Sequence, residues 1–407
     1  MIKKGFLILI ISILLFSLTG CYDVRGVDEL SYFIAVGLDE GDNNKIYLTL
    51  QFATPNSSSS GSEGKGSNET SSSITTVECS SIDSGIALIN SYISKQINLF
   101  HCKVVIISET LASKGISEYV STLVNNIEIR PDCNIIISKC DAKDFLSSAK
   151  PVLESLSARY FETSFKSGEY TGYTSPVILF DFFSSILDTC SEAHAILGGI
   201  NIAANHRSTP SDNYLQQDSS YTAGEMPINH KSTLETIGLA VFKGDKLVGE
   251  LNGIETVCHL ILTNKLKNCT ISIPNPIETN STIDLYINKK NNTRSKVSLV
   301  NNTPYISTSV YLTSFGLSSN IDYTSSENLK LIEQYASDYM EEQITSYLYK
   351  TSKSYKSDIV GFGKYAMLNY LTWDDWISSN WLSNYENSFF DVNVNFTITS
   401  GHLFNKT

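Results

Sequence analysis

The N-terminal stretch ending at Cys21 constrains everything after it. Lys3 and Lys4 precede an apolar run, Phe6 to Leu18, broken only by Ser12 and Ser17. About 13 residues is too short to cross roughly 30 Å of hydrocarbon as a permanent helix, and suits the apolar core of a secretory leader. Leu18-Thr19-Gly20-Cys21 closes the run. Small residues at 19 and 20 admit a peptidase, and the Cys21 thiol is the one nucleophile there able to take a thioether-linked lipid. No later segment has about 18 or more consecutive apolar residues, so the remainder is expected to fold without spanning a bilayer.

Leu-x-Gly-Cys directly after such a run resembles the lipobox of bacterial lipoproteins. Cleavage would remove residues 1–20 as a signal peptide and leave the body hung from a diacylglyceryl Cys21. A single acyl chain binds membranes marginally, at about 0.8 kcal/mol per buried CH₂, whereas two hold stably.

The 407-residue chain carries a net charge of −12, and losing Lys3 and Lys4 makes it more acidic. With no basic block anywhere, nucleic acid is excluded as a partner and anionic lipid gains no charge attraction. At 42% hydrophobic and 18% charged the chain is globular. Its length suits two or three domains. After Cys21, cysteines stand at 79, 102, 133, 140, 190, 258 and 269. An odd number without regular spacing is a poor disulfide framework, so mostly buried thiols are expected, with a Cys133–Cys140 bridge left open. No pair has zinc-site spacing.

Tyr32 to Leu38 and the alternating Ile46 to Phe52 read as strands around the turn 41–44. Asn56 to Ser73 is a Ser/Gly tract too polar to bury itself, expected as a disordered loop, before strand pattern resumes at Ile74 to Cys79. Ile82, Ile86, Ile89, Ile93 and Ile97 make a helical stripe. Strands Val104–Ile107 and Asn134–Ser138 flank a helix, Leu111 to Ile127, interrupted at Gly115; Asp141 is expected to cap a further helix, Ala142 to Ala149. This alternation predicts an N-terminal α/β domain over 21–195. A middle domain, 196–270, holds a polar connection at 205–233 and a hairpin with its tip at Lys243-Gly244-Asp245.

Residues 271–407 read as a C-terminal α+β domain: an antiparallel strand meander packed on one long helix. Capping-box spacing at Thr324 to Glu327 starts that helix, and Leu329, Ile332, Ala336, Met340, Ile344, Tyr347 and Leu348 carry its stripe to about Tyr355. A helix from Trp373 to Trp381 and a strand with Val392, Val394, Phe396 and Ile398 follow. The whole is a three-domain α+β ectodomain.

No nucleophile elbow, phosphate-binding loop or zincin motif is present. Gly361-Phe-Gly363 reads as a helix C-cap. His101 and Cys102 are adjacent on an expected strand and so point apart, which makes His101 a structural or interface residue. Trp373, Trp376 and Trp381 fit one packed helix face. No catalytic residue, metal or cofactor is indicated.

The landmarks resemble the C-subunit lipoproteins of spore germinant receptors, the Ger(x)C family. They are Gly20-Cys21-Tyr22-Asp23-Val24-Arg25-Gly26, Val36-Gly37-Leu38-Asp39, His101-Cys102-Lys103-Val104 and Ile127-Glu128-Ile129-Arg130 followed by Ala142 to Leu146. Then come Ala240 to Gly249, and Asp358-Ile359-Val360-Gly361-Phe362-Gly363 with Trp381 beyond. Tyr22 stands for the usual Trp, Gly26 for Glu, and Leu251 near a frequent Trp.

The resemblance implies a non-enzymatic, three-domain protein at the outer face of the inner spore membrane. It would work beside an integral-membrane A subunit and a transporter-like B subunit in a receptor for nutrient germinants. Asp23 and Arg25 would then lie near the membrane or a partner, and Asp245 and Lys246 at the hairpin tip are further contact candidates. The alternative is a solute-binding lipoprotein of an importer, which needs two doubly wound lobes.

Overall fold

The computed structural model describes residues 29–53, 72–149, 157–201, 219–227, 233–278, 281–289, 291–318 and 326–399, with isolated positions 5 and 12. In chain order, β1 (Leu30–Glu40), β2 (Ile46–Ala53), β3 (Ser72–Cys79), α1 (Ile82–Tyr92), β4 (Gln96–Asn98) and β5 (Val104–Ser108) come first. Then follow α2 (Glu109–Ala112), α3 (Ser117–Asn125), β6 (Asn134–Ser138), α4 (Ala142–Ser147), α5 (Ser157–Ser164), α6 (Gly168–Thr171) and α7 (Leu179–Leu187). β7 (His194–Asn201) leads to the hairpin of β8 (Thr233–Lys243) and β9 (Lys246–Leu251).

These strands make one nine-stranded sheet, ordered β3-β2-β1-β5-β6-β7-β8-β9 with β4 on β1. β1, β5, β6 and β7 are parallel, and antiparallel pairs close both edges. The centre is buried on both faces, which is why β5 and β6 read as unbroken apolar runs. Val105, Ile107, Ile135 and Ile137 enter one core with α1, α3 and α7. Val104, Ile106 and Ile136 enter another with Phe145 and Leu146 of α4. Alternation along the strand sends neighbours to opposite cores.

The sheet runs straight through the expected boundary at 195/196. β7 is bonded to β6 on one side and β8 on the other, so the strands assigned to a middle domain continue the first sheet. The tract 56–73 lies outside the described residues except for its last two, which begin β3. Of the polar connection 205–233, residues 219–227 and Thr233 are described. Glu235, 2% exposed, holds that segment by accepting from the N–H groups of Gly224 (2.7 Å) and Met226 (3.3 Å). α1 stops at Tyr92, one residue before Ile93; Ile97 lies instead on β4, beside Ser31 of β1.

The second unit begins with α8 (Gly253–Leu262), a helix buried on nearly every side, which leaves no exposed face for periodicity arguments to find. Then come β10 (Asn268–Pro274), β11 (Thr282–Asn288), β12 (Arg294–Val300), β13 (Thr303–Ser318), α9 (Ser326–Tyr349), α10 (Gly363–Ala366), α11 (Trp373–Ser379), α12 (Trp381–Asn384) and β14 (Phe389–Ile398). Sheet order is β10-β11-β13-β12 with β14 on β13, so the strands do not form a simple meander. The 16-residue β13 is long enough to serve β12 with its first half and β11 with its last residues. β14 returns to run parallel to it. Across this sheet α9 buries Ile332, Ala336, Met340, Ile344, Tyr347 and Leu348. Each large aliphatic so buried contributes about 1.5–3 kcal/mol.

The long helix continues past α9 as a π-helical turn, Lys350–Tyr355, and stops where Lys356 turns left-handed (φ 52°). Trp376 and Trp381 are buried and stacked, with centroids 6.3 Å apart, but Trp373 is 61% exposed. Asn380 (φ 46°) breaks the helix expected from 373 to 381 into α11 and α12. Mixed sheets with helices on their faces make this an α+β protein.

Candidate functional site

The motif residues converge on the joints between elements. Asp39, at the end of β1, accepts from the N–H groups of Ala142 (2.6 Å) and Lys143 (3.1 Å). It therefore caps α4 from the neighbouring strand, while Asp141, the expected cap, makes no such side-chain bond. Burial raises the Asp39 carboxyl above its ordinary range, and those two N–H groups oppose the rise.

Asp245 does the same for α3. Its carbonyl accepts from Ile116 N–H (3.1 Å) and its Oδ2 from Ser117 N–H (3.3 Å). Gly115, at φ +116°, leaves room: a Cβ there would sit 2.8 Å from that oxygen. The carboxylate, half-buried, is thus engaged with α3, while Lys246 beside it is exposed. His101 is exposed in a turn ahead of β5, not on a strand, with its ring edge-on to Tyr32 at 5.1 Å. Cys21, Asp23 and Arg25 lie outside the described residues.

Asp358 is fully buried. It accepts from the N–H groups of Gly361 (2.9 Å), Phe362 (3.1 Å) and Gly363 (3.0 Å), and from the Trp381 indole (2.9 Å). Gly361 does not end a helix; at φ +82° it turns the chain into α10. Burial pushes the carboxyl up to about 6, and the indole and the three amides pull the other way. The Asp358 carbonyl takes Glu192 N–H (2.9 Å), the Glu192 carboxylate takes Gly244 N–H (2.7 Å), and Ser357 donates to Phe242 O (2.5 Å). Three distant segments are clasped at one joint between the two sheets.

A second joint lies alongside. Tyr355, at the end of the π-helical turn, lays its ring against Gly249 of β9, where a Cβ would come within 2.1 Å of it. Its hydroxyl donates to Glu250 O at 2.7 Å. Lys350 pairs with Glu255 at 2.8 Å, and Glu255 also completes the capping box of α8 with Asn252. Deeper in, His194 of β7 and His259 of α8 meet at 4.5 Å between centroids, and His259 Nδ1 lies 3.0 Å from the Tyr347 hydroxyl. The Nε2 atoms of both histidines are buried without a hydrogen-bond partner.

Among the described residues no cluster of three or more His, Cys, Asp or Glu is placed to hold a metal ion. No described helix is long and apolar enough to cross a membrane. The seven described cysteines are unbridged; Cys140 faces the Ser138 hydroxyl at 3.2 Å rather than Cys133. A shallow cleft of about 280 Å³ opens by Lys103, Arg130 and Lys166. These joints tie together elements far apart in the sequence.

Two family models match in sequence order. One, described as "Spore germination protein N-terminal domain", covers residues 23–202, and the other, "Spore germination B3/ GerAC like, C-terminal", covers 237–401. The chain belongs to the GerAC-like spore germination protein family. Spore germination protein KC of Bacillus subtilis (strain 168) is 23% identical over 372 residues, 89% of this chain and 87% of the relative. A putative spore germination protein, YfkR, of the same organism is 22% identical over 277 residues, 67% of this chain and 65% of its own. The solved structure titled "Crystal Structure of the GerBC protein" is similar at a TM-score of 0.49 and 15% identity, covering 90% of this chain and 97% of that one. The motif-based resemblance is thus borne out, and GerAC-like membership places the chain in spore germination. It is not a family of known enzymes. The importer alternative is not favoured, since the second unit is a largely antiparallel sheet under one long helix and not a second doubly wound lobe.

Proposed function

We propose that this protein is the lipid-anchored C subunit of a nutrient germinant receptor, without catalytic activity of its own. Both GerAC-type matches, in order over nearly the whole chain, carry that reading. It sits at the outer face of the inner spore membrane, held by diacylglyceryl Cys21, and works in assembly or signal transmission beside the A and B membrane subunits. Clasped joints such as that around Asp358 suit a body that transmits force between surfaces better than one that turns over a substrate. The three-domain division is kept as part of this reading, with 196–270 as a bridging stretch that gives β8 and β9 to the first sheet and α8 to the second unit.

Deleting the gene in a strain without a redundant paralogue should abolish or strongly slow nutrient-triggered germination. Affinity capture from spore inner membrane should bring down both membrane subunits. Normal germination of the deletion strain would refute the role.

A further inference from the structure

One end of the larger sheet carries apolar surface that no other described residue covers. β1, β5 and β6 are parallel, so their first residues share that end. Beyond it the chain doubles back along β6: Ile135 N–H donates to Val177 O (3.1 Å), Leu179 N–H to Cys133 O (2.8 Å) and Phe180 N–H to Pro131 O (3.1 Å). α7 therefore starts at this end. Its inner residues Leu179 and Phe182 are buried, yet Phe180 and Leu187 are 51% and 67% exposed. Phe180 and Leu187 stand at i and i+7 on one stripe of the helix, with Phe183 between them partly buried against the core. On loops at the same end, Ile127 is 93% exposed and Phe100 55%. So many large apolar side chains at one end mark a covered surface.

The chain itself says what covers it. β1 begins at this end with Leu30, and Cys21 lies only nine positions earlier. Such a tether reaches at most about 30 Å, so acyl chains on Cys21 keep this end near the lipid. We propose that Phe100, Ile127 and the Phe180–Leu187 stripe seat this end of the sheet in the interfacial layer of the bilayer. This rests on the acylation of Cys21 proposed above. Glu128, Asp132 and Asp181 border the surface together with Lys103 and Arg130, so the seat is apolar with rim charges of both signs. It orients the body with β1 rising from the membrane and the opposite end of the sheet, at Glu40 and Glu109, facing away.

Hydrogen exchange tests this on the native acylated protein in phosphatidylcholine vesicles, against the unacylated mature chain in solution, with intact mass reporting the acyl chains. Peptides covering 96–103, 126–133 and 179–188 should exchange about tenfold more slowly on vesicles, while 39–45 and 139–144 stay unchanged. Ile127→Asp with Leu187→Asp should abolish that protection without changing the acylated mass. An acylated protein with equal exchange at this end, or protection at the opposite one, overturns the seat alone. So does protection that appears only when membrane subunits are co-reconstituted, since a protein then covers the surface. A bare Cys21 overturns the anchoring and the seat together.

Discussion

Trp381 donates its indole N–H to Asp358 Oδ2 at 2.9 Å, across 23 residues of chain and inside a fully buried joint. The same carboxylate satisfies three consecutive backbone N–H groups. Removing it leaves four buried donors without an acceptor. Asp358→Ala should destabilise the mature chain by about 3–5 kcal/mol in urea titration, and Trp381→Phe by about 1–3 kcal/mol. Equal small losses for both would show that the carboxylate is not the hub of the joint.

Asp39, not Asp141, holds the first turn of α4. Asp39→Ala should cost about 1–2 kcal/mol, the range for loss of a helix cap, whereas Asp141→Ala should change stability by less than about 0.5 kcal/mol. The reverse order, read by thermal melting, would restore the local cap.

At the hairpin tip the two neighbours should separate. Asp245→Ala removes the acceptor for Ser117 and should cost about 1 kcal/mol. Lys246→Ala, at an exposed position, should be close to neutral for folding. A germination defect in Lys246→Ala with unchanged stability would mark that lysine as a partner contact.

Gly249→Ala drives a methyl group into the Tyr355 ring and should cost about 1–3 kcal/mol. Combining it with Tyr355→Leu should cost less than the two single losses added, because the clash is then gone. Simple additivity would show that the ring and the glycine are not in contact.

Burial, with smaller contributions from the neighbouring His194 and Lys265, holds the His259 imidazole well below its ordinary 6.5. An unfolded chain takes up that proton below pH 6.5 and the folded one does not, so this group's contribution to stability is lost as pH falls. Burial raises Glu192 to about 7 and Asp358 to about 6, and these two work in the opposite direction. The stability of wild type relative to His259→Gln should therefore fall between pH 7 and pH 5, by up to about 1.4 kcal/mol per pH unit. A flat difference over that range would mean that the ring is protonated in the fold.

The order of strands and helices around residues 30–149, the hairpin at 243–246 and the long helix ending at Tyr355 were legible in the sequence. Each is written in local periodicity, in run length or in turn chemistry, and those act over a few residues. α8 escaped because a segment buried on nearly every side shows no period to read. The partners of the motif aspartates were not legible at all. Asp39 finds its helix 103 residues away and Asp245 finds Ser117 across 128, and only the folded sheet brings them together. Likewise the sequence shows that β7 is apolar, but pairing on both of its edges decided that the first sheet does not end there. A side chain's burial is recorded in its chemical type; what covers it belongs to the rest of the molecule.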